Sequence, residues 1–200
     1  MRRHLGTLLI TTGLVLIFWP VVTWAYGLYW QQKLARAWPR AARARRATGA
    51  GSRAGETASP AEPAPIARLD VPRIHLQAMV VDGTDPVSLR RGPAHLPDTC
   101  RPGESGNCVI AAHRDGWFRD LQQLQQGDPV DVATEDCAYE YVVEEKRAVE
   151  PDRADLLRTG EYPRLTLVTC TGPGYPHSTQ RLLVFCHLSQ VQPLALLTGE

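Results

Sequence analysis

The twenty-six residues from Leu5 to Trp30, "LGTLLITTGLVLIFWPVVTWAYGLYW", contain no charged side chain and no histidine. That length exceeds the roughly 20 residues a helix needs to cross a bilayer. Trp24, Tyr26, Tyr29 and Trp30 gather at one end, as aromatic side chains do at a membrane interface. Pro20 would kink the helix, which membrane-spanning helices tolerate. The competing reading is a cleaved signal peptide with "MRRH" as its basic start. It is disfavoured because the apolar part is too long and no small-x-small cleavage site follows directly. Residues 1–32 are therefore read as an uncleaved membrane anchor.

The remainder divides by composition. Residues 33–65 form a basic stem and a linker. Lys33, Arg36, Arg40, Arg43, Arg45 and Arg46 come first, then the Ala/Gly/Pro/Ser-rich "ATGAGSRAGETASPAEPAP" (47–65), which favours a flexible to semi-extended chain. Residues 66–200 form the folded domain, expected to fold alone, with the anchor adding nothing to it. Residues 1–65 hold 9 Lys/Arg and 2 Asp/Glu, a net +7; residues 66–200 hold 13 and 19, a net −6. A domain of that sign lacks the basic face that nucleic acid requires, so no nucleic-acid partner is expected. Counted literally, the arginines after the anchor place the domain in the cytoplasm. Alternatively they bind anionic head groups on the other side.

Within 66–200 the pattern is of short apolar runs between turn residues. Strands are expected at 66–71, 76–82, 108–113, 129–134, 138–149, 164–170 and 181–188. Short helices are expected at 115–124, where Trp117, Phe118, Leu121 and Leu124 recur at helical spacing, and at 151–157, which opens on Pro151 and Asp152. Many strands in a domain of this size mean an all-β barrel or sandwich.

The stretch "RLTLVTCTGPGYPHSTQRLLVFC" (164–186) carries the chemistry. An apolar strand ends at Cys170, a turn-rich loop follows, and the next strand opens on Arg181. Joined as an antiparallel hairpin, Cys170 and Arg181 face one another and share a side of the sheet. A neighbouring cation favours the thiolate and can also steady an oxyanion. Of six histidines, His113 alone occupies a comparable place, at the end of the apolar strand "CVIAAH". The bland readings remain open on these residues alone. A cysteine in a strand is commonly a small buried hydrophobe, a histidine at a strand end is commonly just exposed, and a lone arginine commonly makes a surface ion pair.

"LTLVTC" (165–170) resembles the TLxTC signature of sortases, the cysteine transpeptidases that join proteins to the cell envelope. "GNCVIAAHRDGWFRDLQQLQQGDPVDV" is similar to their histidine-bearing segment and the "GD" turn after it. "IARLDVPRIHLQAMVVDG" is similar to their first two strands. The short form with an N-terminal anchor looks most like class D and its Gram-negative relatives. The resemblance implies a closed eight-stranded β-barrel. It also implies catalytic Cys170, His113 and Arg181, and substrate-binding Thr169, Thr171 and Tyr175. The implied partners are a protein bearing an LPxTG-like sorting signal, an amine acceptor (peptidoglycan or pilin-like) and the membrane. The loop containing Tyr175, Pro176 and His177 is expected to tune substrate choice. The family works outside the cytoplasm, so the resemblance reverses the orientation that the arginines indicate, to the periplasmic side in a Gram-negative cell.

Ala112 stands where the family usually has glycine. Cys100 and Cys108 bracket the turn "CRPGESGNC" and could close a disulfide in an oxidising compartment; Cys137 has no evident partner. "LPDTC" (96–100) imitates a sorting signal, but as a loop coincidence. No cofactor and no metal are expected. Some family members use calcium, which here would fall to Glu144, Glu145 and Asp152. The alternatives are an L,D-transpeptidase-like envelope enzyme and a non-catalytic anchored β-module with structural thiols. The first normally sets its cysteine in an SHGC-type turn with an arginine close behind, unlike "TCTGPG".

Overall fold

The computed structural model describes residues 2–48, 65–157, 160–172 and 180–193. Most of the linker, the Tyr175–His177 segment and the last seven residues therefore lie outside the described residues. Helix α1 runs from Arg2 to Thr48, through Pro20 and through the basic stem. Its segment Ile10–Trp38 is long and apolar enough to cross a membrane.

Eight strands close into a barrel in the order β1-β2-β3-β4-β7-β8-β6-β5. They are β1 (Pro65–Val71), β2 (Leu76–Asp82), β3 (Ala94–His95), β4 (Asn107–Ala111), β5 (Pro129–Ala133), β6 (Cys137–Val149), β7 (Arg164–Thr171) and β8 (Gln180–Pro193). Closure gives every strand two neighbours and leaves no edge open to another chain. Seven strands coincide with those expected from sequence. The eighth, β3, is two residues long, too short for its alternation to be read. β8 extends to Pro193 because β6 continues to pair with it as far as Cys137.

Alternation of side chains sorts each strand into an inner and an outer row. Leu69 and Val71 of β1, Ile110 of β4, Val130 and Val132 of β5, Leu165 and Leu167 of β7, and Val184 of β8 join one interior cluster. Tyr141 is wholly buried there, and its hydroxyl accepts the Gly103 N–H at 2.9 Å, so no polar atom is stranded. Phe118, Leu121 and Leu124 also enter this core, but not from a helix. Arg119, Leu121 and Leu124 each donate a backbone N–H to the residue three back, and only Leu121–Gln123 forms a 3-10 turn. A spacing of three satisfies a 3-10 turn as well as an α-helix. The expected helix at 151–157 is likewise a turn followed by the 3-10 segment Ala154–Leu157.

A real second helix was passed over in the sequence: α2, Pro86–Arg91. Its start follows the usual capping rules, with Pro86 in the first turn and the Asp85 carboxylate accepting N–H groups from Val87 (2.9 Å) and Ser88 (3.2 Å). It helps to cover the outer row of β2. Met79, Val81 and Ala94 form a second cluster there with Leu34 of α1, and Trp38 and Leu89 pack against it. Leu34, just past the expected anchor, thus packs on the outside of β2, while the interior cluster contains no residue of α1.

Two polar clamps hold the walls near β4. The buried His95 ring places Nδ1 3.0 Å from Asp82 Oδ1 and Nε2 3.0 Å from the Cys100 carbonyl, while Arg101 reaches the other Asp82 oxygen at 3.0 Å. The imidazole and guanidinium hold the Asp82 carboxyl below the usual range, the His95 hydrogen bond contributing most. The second clamp links the buried Asn107 and Thr166. Thr166 donates to Asn107 Oδ1 (2.8 Å), and Asn107 Nδ2 donates to the Leu157 carbonyl (3.1 Å). This ties the β6–β7 connection to the strands that carry the candidate site. "LPDTC" is part of the wall: Leu96 N–H bonds Val109 O, and Thr99 Oγ1 accepts from Val109 N–H.

Candidate active site

The β7–β8 ladder pairs Leu165 with Cys186, Leu167 with Val184, and Cys170 with Arg181. Leu165, Leu167, Val184 and Cys186 point inward. Alternation therefore turns Cys170 and Arg181 to the outer face, at the end of the ladder. Both are half-buried, reachable from solvent yet partly screened from it.

β4 lies on the other side of β7, parallel to it, with Ala111 opposite Val168. The pairing continues one residue beyond the strand, where Ala112 N–H donates to Val168 O at 3.1 Å. One step further sets His113 beside Cys170. Ala112 points into the core, so His113 points outward, and it is exposed. Continued in that register, His113 comes level with Cys170 two residues past the end of β4, and Arg181 faces Cys170 across the β7–β8 ladder.

The local backbone explains why they stay there. After His113 the chain turns sharply, its carbonyl accepting N–H groups from Gly116 (3.2 Å) and Phe118 (3.3 Å). Phe118, 1% exposed, pins that turn to the core. Arg114 donates from Nη1 to the Gly172 carbonyl at 2.9 Å, joining the residue after His113 to the loop after Cys170. Gly172 takes φ +88°, a left-handed conformation in which a side chain would be strained. Arg114 did not figure in the sequence reading. Its only signal was a basic residue next to a candidate histidine.

Of the residues expected to bind substrate, Thr169 is turned the other way. It is 3% exposed, and its hydroxyl donates to Ala112 O at 2.9 Å within the wall. It braces β4 against β7 behind the site and presents no group on the outer face. Thr171 is half-buried opposite Gln180. Tyr175 lies outside the described residues.

All five cysteines are thiols. Cys108 and Cys186 line the interior. Burial pushes the Cys186 thiol up to about 12 and raises that of Cys108 further still. Neither supplies thiolate near neutral pH. Cys100 donates its S–H to Ser105 O at 3.2 Å, and the disulfide considered between Cys100 and Cys108 is not formed. Among the described residues no three acidic, histidine or cysteine side chains converge as a metal site. Glu144 lies near Arg164 (3.7 Å) and His187 (3.3 Å), and Glu145 pairs with Arg147 at 2.7 Å.

Comparison with known proteins gives the family and the fold. Residues 69–189 match the sortase domain family. The chain is 31% identical over 111 residues to Sortase D of Bacillus subtilis (strain 168), covering 55% of this chain and 54% of that protein. It thus spans about half the length of that relative. It is 32% identical over 194 residues to Sortase SrtE2 of Streptomyces coelicolor, covering 84% of this chain and 74% of that protein. Among solved structures, sortase E from Streptomyces avermitilis superposes with a TM-score of 0.58 at 28% identity, covering 68% of this chain and 93% of that one. A Clostridium perfringens Sortase D5 transpeptidase shares the fold, with a TM-score of 0.68 at 23% identity over 83% of this chain and 99% of that one. Class D is consistent with these matches, and class E relatives stand beside it.

Proposed function

The chain belongs to the sortase family, and from that premise we propose that it is a cysteine transpeptidase acting on an LPxTG-like sorting signal. The observation that carries the reading is Cys170 paired with Arg181 at the end of the β7–β8 ladder, with the parallel β4 beside β7 leading into His113. The Cys170 thiolate attacks the carbonyl of the scissile bond, and the oxyanion that forms faces the Arg181 guanidinium. Collapse of that intermediate breaks the C–N bond. His113, as imidazolium, gives its proton to the departing amine, leaving a thioester on Cys170. An incoming amine, from peptidoglycan or a pilin-like chain, loses a proton to His113 and attacks the thioester. A new amide forms and the thiolate is released. Atoms and charge balance over the cycle without a cofactor.

On this reading α1 anchors the protein in the membrane with the barrel on the extracytoplasmic side, where sorting signals and envelope amines are found. The arginines of the stem then lie against anionic lipid head groups.

Mass spectrometry of an LPxTG-like peptide incubated with the full chain, with and without an added amine, tests the proposal. The expected products are a Cys170 acyl adduct, then hydrolysed peptide or the amine-coupled product. An acyl group on Cys100 or Cys137, or cleavage that survives Cys170→Ala, sinks it.

A further inference from the structure

Helix α1 does more than lead up to the barrel. One stripe of it, Gly27, Trp30, Gln31, Leu34 and Trp38, falls at helical spacing on a single face. Gly27 and Leu34 are buried. The Gln31 amide behaves as a short length of strand. Its Oε1 accepts the Met79 N–H at 2.6 Å, and its Nε2 donates to Met79 O (3.1 Å) and Arg91 O (2.9 Å). It thereby satisfies the β2 backbone where the two-residue β3 does not reach. Room for it depends on Gly92, where a Cβ would come 2.4 Å from Gln31 Nε2 and 2.8 Å from Met79 O. Arg91 adds a guanidinium 4.0 Å above the Trp30 ring. The seat also has a cost. Trp30 Nε1 and Arg91 Nε are buried without a hydrogen-bond partner, so docking is a balance rather than a permanent weld.

The same stripe reaches the turn after His113. A Cβ on Gly27 would lie 3.6 Å from Trp117 Cζ2 and 3.6 Å from Arg90 O, so any side chain there would come into contact with the indole. Trp117 sits between the two residues, Gly116 and Phe118, whose N–H groups bond the His113 carbonyl. Its ring packs against the barrel core and lies next to Gly27 of α1.

We propose that α1, seated on β2 and α2, holds the His113 turn in its working geometry through Trp117, and is a positioning element of the catalytic unit as well as an N-terminal segment. The inference rests on the role given to His113 above. Unseating the helix frees one side of the indole, loosens the turn, and leaves Cys170, on a different strand, unaffected.

The test uses the full chain in detergent micelles. Gly27→Leu pushes a branched side chain into the indole. Gln31→Leu removes the bonds to Met79 and Arg91 without adding bulk near Trp117. Gly13→Leu makes the same change as the first variant where nothing lies within 4 Å, and serves as the control. Hydrogen exchange at the Gly116 and Phe118 amides should rise in the first two variants and not in the control. With the LPxTG-like peptide, kcat should fall on the order of tenfold in those two, while iodoacetamide alkylates Cys170 at the wild-type rate. Unchanged exchange in both variants overturns the docking, whatever the turnover. Raised exchange with unchanged kcat, while His113→Ala is inactive, overturns the positioning role. If His113→Ala itself turns over the peptide, the role of His113 has failed and the positioning claim goes with it, whereas the exchange data still report whether the helix steadies the turn.

Discussion

The β7–β8 hairpin contains two cross-strand pairs with one cysteine each, and they differ in what surrounds the sulfur. At one end Leu165 faces Cys186, both inside the barrel; at the other Cys170 faces Arg181 on the outer row. The backbone ladder is the same. What changes is the row, and with it the solvent. Cys186 is buried, which disfavours its anion, whereas Cys170 is half-buried opposite Arg181. A thiol in a strand is therefore a packing group or a solvent-reachable one, open to the nucleophilic role proposed for Cys170, according to the parity of its position and its distance from the strand end.

The sharpest way to break this contrast is to exchange the losses. Cys170→Ala should abolish acyl-adduct formation and leave the thermal midpoint near wild type. Cys186→Ala should retain turnover and lose roughly 1 kcal/mol of stability in a denaturant titration, as an interior atom is removed. Adduct formation at wild-type level in the Cys170 variant would erase the distinction. The inner row should in turn respond to volume. Leu167→Ala deletes a wholly buried side chain and should cost about 2–5 kcal/mol. A loss below about 1 kcal/mol would mean that the wall collapses around the gap.

On the outer row, Arg181→Lys keeps the charge and loses the planar fork. It should lower kcat/KM on the order of tenfold while stability stays unchanged; equal turnover would leave Arg181 a mere point charge. Iodoacetamide sharpens the same contrast without mutation. In the native protein Cys170 should be alkylated long before Cys108 or Cys186, and mapping by peptide mass would show it. Early modification of either interior thiol would mean that the barrel opens readily.

The smallest effect concerns the clamp that holds the segment before β4. The Asp82 carboxyl lies below its usual range because His95 and Arg101 favour its anion. Its contribution to stability is then present above the unfolded value of about 4 and is lost as pH falls through the lower folded value. Asp82→Asn should flatten the stability-versus-pH curve in that acid window. Asp82 is partly exposed, so the change is modest. A curve that keeps its full slope would remove the clamp from the account.

Much of this was legible locally. The strands β1, β2 and β4–β8 announce themselves by alternation and turn residues. The facing of Cys170 and Arg181 follows from a hairpin, where the intervening loop alone sets the register. The uncharged run Leu5–Trp30 reads directly as a long apolar helix. The misreading at 115–124 is equally local: Phe118, Leu121 and Leu124 are buried as their spacing implies, but a period of three does not distinguish a 3-10 turn from an α-helix.

Other features existed only in three dimensions. That β4 leads His113 toward Cys170 depends on parallel pairing of β4 with β7, two strands separated in sequence by β5 and β6. No local signal specifies which strand a parallel partner will be, because the crossover between them is long and its ends are brought together by the closing of the barrel. Which row faces inward at Thr169, and so whether its hydroxyl meets substrate or the Ala112 carbonyl, is decided by the same closure. So is the meeting of Gly27 with Trp117, and of Gln31 with Met79. Periodicity along a chain follows from backbone geometry over a few residues, and so the sequence by itself determined the strands, the apolar helix and the facing of Cys170 with Arg181. Which elements touch depends on burying surface from all of them at once, and only the tertiary structure decided that.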